Sequence, residues 1–316
     1  MKRGSVFALG IFSVFLIVAL VGGGILVHPT FGATTAPAVS YVVYIMLENR
    51  NYADVIGSSS APYINQLASN YGLATNYHNV SPYGSLPNYL GAISGSTYDT
   101  SWSRCNSPPP TCSGWPAGGV TAPTIVDRLE AAGMSWKAYM EDMPSNCYSN
   151  NSGSYMAIHN PFIYFSHIIN SPAECARVVP AGASDSVLLS DLSSTSTAPN
   201  FMWLTPNNCN DMWGCSTSTG DTYLSNLIPQ IMNSQVFKTQ RAGIFITWDE
   251  GTTSGHIPGI WAGPAVKPSY ASGVTYNHYS VLKTLENLWN MPSLTTNDAG
   301  ASAMTEFFTT PTGTNL

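Results

Sequence analysis

At 316 residues the chain is long enough for one large α/β domain or two small ones, and 44% of it is hydrophobic against only 9% charged. That apolar share excludes wholesale disorder. The net charge of −6, which becomes −8 without Lys2 and Arg3, comes with no basic stripe and excludes nucleic acid as a partner. The abundant Ser, Thr, Asn and Gly give a polar, uncharged surface that keeps its hydration where carboxylates protonate, a property suited to an acidic external habitat.

The amino terminus reads Met1-Lys-Arg and then runs without a charge from Val6 to Val27, a 22-residue stretch. A secretory core needs about 7–15 apolar residues, whereas about 20 cross a bilayer as a helix. Residues 1–27 are therefore expected to be an uncleaved signal anchor, a transmembrane helix whose Lys2 and Arg3 stay cytoplasmic. Removal as a signal peptide, giving a secreted protein, is the alternative; Phe31-Gly-Ala33 makes a poor cleavage site. Either way the rest of the chain is expected outside the membrane, beyond a Pro/Thr/Ala linker at 28–39. The six cysteines fit that compartment. They contain no C-x-x-C pair, and Cys105–Cys112, Cys147–Cys175 and Cys209–Cys215 are the simplest pairing. Asn79-Val-Ser81 and Asn150-Asn-Ser152 are sequons, candidate N-glycan acceptors.

Tyr41 to Leu47 reads as a buried strand that stops at Glu48-Asn49. Ala61 to Ala68 is a short helix with proline in its first turn. Ser85-Leu-Pro-Asn opens another helix, with Ser85 as its N-cap or, functionally, a nucleophile at a positive helix end. Residues 122–132 form an amphipathic helix ended by Gly133, Ser135 to Met140 a strand, and Asn200 to Leu204 another. Asp221 is expected to cap a helix over Tyr223 to Met232. The run Ala242 to Trp248 is a further strand, stopping at two adjacent acids, Asp249 and Glu250. His256 to Pro264 gives one more, and Tyr276 to Ser280 caps a helix over Val281 to Trp289. Strands alternating with helices imply an α/β fold with a mostly parallel central sheet sandwiched by helices. In such sheets ligands bind outside the carboxyl ends of the strands. Paired acids there repel each other unless a cation lies between them, and a divalent metal cation meets that need.

The pieces Leu47-Glu-Asn-Arg-Asn-Tyr52, Ser85-Leu-Pro-Asn-Tyr89, His159-Asn-Pro-Phe162, Thr205-Pro-Asn207 with Cys209-Asn-Asp-Met212, Trp248-Asp-Glu-Gly251, and Gly263-Pro with Tyr276-Asn-His-Tyr279 resemble, in order, the bacterial and archaeal phosphoesterase family. That family holds acid phosphatases and non-specific phospholipases C, within the alkaline-phosphatase-like superfamily. The resemblance covers residues 40–290 and implies that 40–316 is one phosphoesterase domain. It implies that Glu48, Asn49, Asp249 and Glu250, with Ser85, hold a divalent metal cation. It makes Ser85 the nucleophile, forming a phosphoserine, with His159 or His256 protonating the leaving oxygen. Trp213 stands where relatives often carry histidine, which favours one metal over two. The function expected is a membrane-anchored extracellular phosphomonoesterase. The alternatives are a phospholipase C or phosphodiesterase, and an inactive surface-binding protein on the same fold.

Overall fold

The computed structural model describes Met1 and residues 39–310. Residues 36–316 form one compact unit. The expected anchor and nearly all of the linker lie outside the described residues. Among those described, no helix is long and apolar enough to cross a membrane.

Among the described residues nine strands form one sheet: β1 Tyr41–Leu47, β2 Gly72–His78, β3 Trp136–Met140, β4 Val178–Pro180, β5 Phe201–Thr205, β6 Ala242–Trp248, β7 His256–Ala262, β8 Tyr270–Ser272 and β9 Tyr276–Asn277. Their order is β4-β3-β5-β1-β6-β7-β2-β8, with β9 also on β2. The central strands β3, β5, β1 and β6 are parallel, and β7 runs antiparallel between β6 and β2, so the sheet is mixed. Buried on both faces, β1, β5 and β6 are continuous apolar runs, as central parallel strands must be. Tyr44 of β1 stacks on Trp203 of β5 with ring centroids 4.5 Å apart and meets Phe245 of β6 edge-on. This pleat fixes the register of the two strands that matter most, setting Leu47 opposite Trp248. Glu48 and Asp249, one residue further on, therefore leave the sheet side by side.

Three elements differ from expectation. β2 is half-polar and carries a register shift between Ala74 and Tyr77, so it offers no clean alternation to read. The helix after β5 spans Thr217–Asn233 and is capped by the Ser216 side chain, not by Asp221. Asp221, inside it, accepts the Tyr63 and Ile64 backbone N–H groups and so caps the first turn of the neighbouring Pro62–Asn70 helix. Ser85 is the first residue of its helix, Ser85–Ser94, rather than its cap; Gly84 precedes it at φ 97°, a conformation that favours glycine.

All three disulfides form in sequential order, Cys105–Cys112, Cys147–Cys175 and Cys209–Cys215. The first closes the loop that presents Asn106, and the third closes the loop that carries Asp211.

Candidate active site

The site assembles where β1 and β6 end beside the Ser85–Ser94 helix. Asn49 takes φ 40°, a left-handed turn that asparagine tolerates, and its backbone N–H donates to Asp249 Oδ1 at 3.0 Å. Ser85, only 3% exposed, donates its hydroxyl to Glu48 Oε2 at 2.9 Å. The Asn49 side chain donates to the same oxygen at 2.7 Å. Gly251 ends the turn after the acid pair; a Cβ there would lie 2.1 Å from the Ser254 carbonyl oxygen.

His159 is buried between two carboxylates, with Nε2 3.2 Å from Glu48 Oε1 and Nδ1 3.2 Å from Asp211 Oδ2. Tyr89 covers one face of its ring, stacked 5.5 Å away, and Trp213 meets it edge-on at 6.2 Å. Asp211 enters through the disulfide-closed loop, its backbone carbonyl accepting the Glu48 N–H at 2.8 Å.

Crowding so many acids in a dry place has a clear electrostatic cost. Burial, then the charges of Asp249 and Asp211, holds the Glu48 carboxyl well above the ordinary range. Burial pushes Asp249 up to about 7, opposed by the Asn49 N–H and the Ser85 hydroxyl. Burial and the Asp249 charge push Glu250 up to about 8, opposed by the Gly84 N–H. Asp249 Oδ2 is buried without a hydrogen-bond partner, and Glu48 Oε1 and Asp211 Oδ2 face only the His159 ring nitrogens at 3.2 Å. Hard carboxylate oxygens crowded in this way are a donor set a divalent cation takes. Among the described residues no three His, Cys, Asp or Glu side chains are already drawn together as a cage.

Of the residues expected here, Glu48, Asn49, Ser85, His159 and Asp249 are linked by these contacts, and Glu250 joins them through the Asp249 charge and the Gly84 N–H. His256 makes its contacts elsewhere: its Nε2 meets the Thr75 carbonyl at 3.0 Å, and its ring stacks on Tyr52 and His78 at the rim. Asp211 and His278 are members not foreseen. Tyr77 donates to His278 Nδ1 at 3.1 Å, which fixes the tautomer, and His278 Nε2–H donates to the Asp249 carbonyl at 2.7 Å. The second N–H of the Ser85 helix is also taken, since Leu86 N donates to Asn106 Oδ1 at 3.0 Å. A cavity of about 390 Å³ beside Trp115 and the Cys147–Cys175 bridge is lined by none of these residues.

Burial lowers His278 to about 4, so it folds neutral. An unfolded histidine binds its proton nearer pH 6.5, so this residue's stabilisation is complete above that pH and is lost as pH falls toward 4. Melting temperature should therefore drop between pH 7 and pH 5. In His278→Gln that drop should be smaller, on top of a pH-independent loss of about 1–3 kcal/mol from the broken chain of hydrogen bonds.

A buried serine hydroxyl hydrogen-bonded to a carboxylate, at the carboxyl edge of such a sheet, is an arrangement that can activate a hydroxyl for attack. The fold is alkaline-phosphatase-like. It aligns with an alkaline phosphatase superfamily protein from Vibrio parahaemolyticus at TM-score 0.55 and 13% identity, over 84% of this chain and 70% of that one. Murine ectonucleotide pyrophosphatase/phosphodiesterase 5 aligns at TM-score 0.57 and 10% identity, over 81% of this chain and 96% of that one. The chain belongs to the Phosphoesterase family, whose model matches residues 58–292. A phosphatidylinositol-3-phosphatase of Mycobacterium tuberculosis is 29% identical over 82% of this chain and 80% of its own length. A phosphate-repressible acid phosphatase of Penicillium chrysogenum is 26% identical over 83% of this chain, which spans 62% of that protein. The chain is thus a hydrolase of phosphoric ester bonds.

Proposed function

We propose that the protein is a metal-dependent phosphomonoesterase, held at the outer face of a membrane by its amino-terminal segment and acting through a phosphoserine. The observation that carries the chemistry is the Ser85 hydroxyl donating to Glu48 inside an acid cluster whose Asp249 Oδ2 is buried without a hydrogen-bond partner. Glu48, Asn49, Ser85, Asp249 and Glu250 would hold a divalent cation. When bound, that cation neutralises the carboxylates, draws in the phosphate and makes the serine hydroxyl more acidic.

The residues supply the rest. Ser85 Oγ attacks phosphorus as its proton leaves along the hydrogen bond to Glu48 Oε2. His159, with a carboxylate at each ring nitrogen, holds that proton and returns it to the leaving oxygen as the ester P–O bond breaks. Water then attacks phosphorus, the Oγ–P bond breaks, and Ser85 regains a proton. The Asn106 amide, on the Leu86 N–H, guards the helix end where phosphate oxygens would bind.

Beyond the reacting atoms, Trp213 is 50% exposed and meets the His159 ring edge-on at 6.2 Å. Its ring would be a platform for an aromatic or apolar leaving group. Trp213→Ala should raise KM for p-nitrophenyl phosphate about 3–10-fold while leaving glycerol phosphate unchanged. Equal loss on both substrates would remove the platform.

Chelation followed by return of magnesium, calcium, manganese or zinc tests the main reading, with p-nitrophenyl phosphate and bis(p-nitrophenyl) phosphate as paired substrates. The expected result is loss and recovery of monoester turnover, with the diester slower. Full turnover after chelation would end the metal requirement, and a faster diester would make the protein a phosphodiesterase.

A further inference from the structure

A second acidic cavity lies off the catalytic cluster, two strands from β1. β3 runs into Glu141, and Asp185 approaches from the segment before the helix Ser186–Asp191. The two carboxylates share a cavity of about 160 Å³, lined also by Ser184, Asn210, Tyr223 and Gln230, among others. Exposed Ser184 and Gln230 open it to solvent. None of the described ion pairs involves Glu141, Asp142 or Asp185.

Asp185 is the anomaly. It is 1% exposed, and its Oδ2 accepts from the Tyr223 hydroxyl at 2.9 Å, yet Oδ1 has no hydrogen-bond partner. A buried carboxylate oxygen left bare, in a cavity shared with a second carboxylate, costs free energy that a cation removes. The neighbouring groups supply neutral oxygens as well: the amides of Asn210 and Gln230, the Ser184 hydroxyl and the Tyr223 phenol. Few carboxylates, several neutral oxygens and room for water is the ligand set of calcium, which takes 6–8 oxygens, rather than of zinc.

We propose that this cavity is a calcium site, distinct from the catalytic acids, with Asp185 and Glu141 as its charged ligands. The site reaches the catalytic loop through a short chain of bonds. Glu141 accepts from Asn207 N at 2.9 Å and from Asn210 Nδ2 at 2.8 Å, and the Asn207 carbonyl accepts from Asp211 N at 2.8 Å. Calcium here would anchor the loop that brings Asp211 to His159.

Calorimetric titration of calcium chloride into the full-length, chelator-stripped protein at pH 7.5 tests this, with Asp249→Asn as the variant that alters the other acid cluster. The expected result is a calcium-binding event present in wild type and Asp249→Asn, and weakened at least tenfold in both Asp185→Asn and Glu141→Gln. Should Asp185→Asn not fold, Glu141→Gln with the calcium-induced rise in melting temperature decides alone. Calcium binding unchanged in the Asp185 or Glu141 variant overturns the site, as does binding that disappears only in Asp249→Asn, or none at all. The outcome is independent of whether catalysis needs a metal.

Discussion

Ser85→Ala folds normally and loses turnover of p-nitrophenyl phosphate by at least about three orders of magnitude. The size follows from what one atom does. No neighbouring serine or threonine among the described contacts shares the bond to Glu48, so the variant has nothing to form the covalent intermediate with. Stability changes little, because Glu48 Oε2 keeps the Asn49 side chain as a donor and the vacated space is one oxygen wide. The lost hydrogen bond is worth about 1 kcal/mol. Steady-state rates with circular dichroism on the same preparation give the result. A folded variant within tenfold of wild type would take Ser85 out of the reaction.

The second large effect runs in opposite directions for stability and activity. Glu48→Gln should abolish turnover and weaken divalent-metal binding at least about 100-fold, yet raise the melting temperature of the metal-free protein by about 3 °C or more at pH 8. Glu48 is fully buried, and Asp249 and Asp211 both raise its carboxyl pKa. Its folded pKa lies above the unfolded one, so the folded state holds the proton more tightly and stability falls as pH rises beyond about 4.5. Glutamine keeps the shape and removes that penalty. The gain should therefore shrink as pH falls. A variant destabilised equally at pH 8 and pH 5 would show that Glu48 is an integral hydrogen-bonded part of the fold rather than a stored repulsion.

The elements legible in the sequence are those whose cause is local. β1 and β6 announce themselves because central parallel strands must be apolar throughout, and each ends at an acid that cannot enter the core. Ser85 stands out in the sequence through its motif, since a serine beside Leu-Pro is otherwise an ordinary helix start. The misses have tertiary causes. Asp211 lies among polar loop residues, and only the approach of His159 and Glu48 makes it part of the site. His256 and His278 are indistinguishable as letters; the fold leaves one at the rim against Tyr52 and sets the other behind the Asp249 carbonyl. Asp221 looked like the cap of its own helix because the preference is real, but it serves a helix whose first turn lacks a side-chain cap of its own. β4, β8 and β9 are two or three residues long, too short for any period to register.

The acid cluster and its supports come from six segments, spread from Glu48 near the start of the described chain to His278 near its end. A fragment cut anywhere between those two residues loses part of the machinery, and a chain leaving the ribosome stays inert until its last long helix has emerged and docked. Synthesis and chemistry are thereby separated in time, and competence arrives all at once.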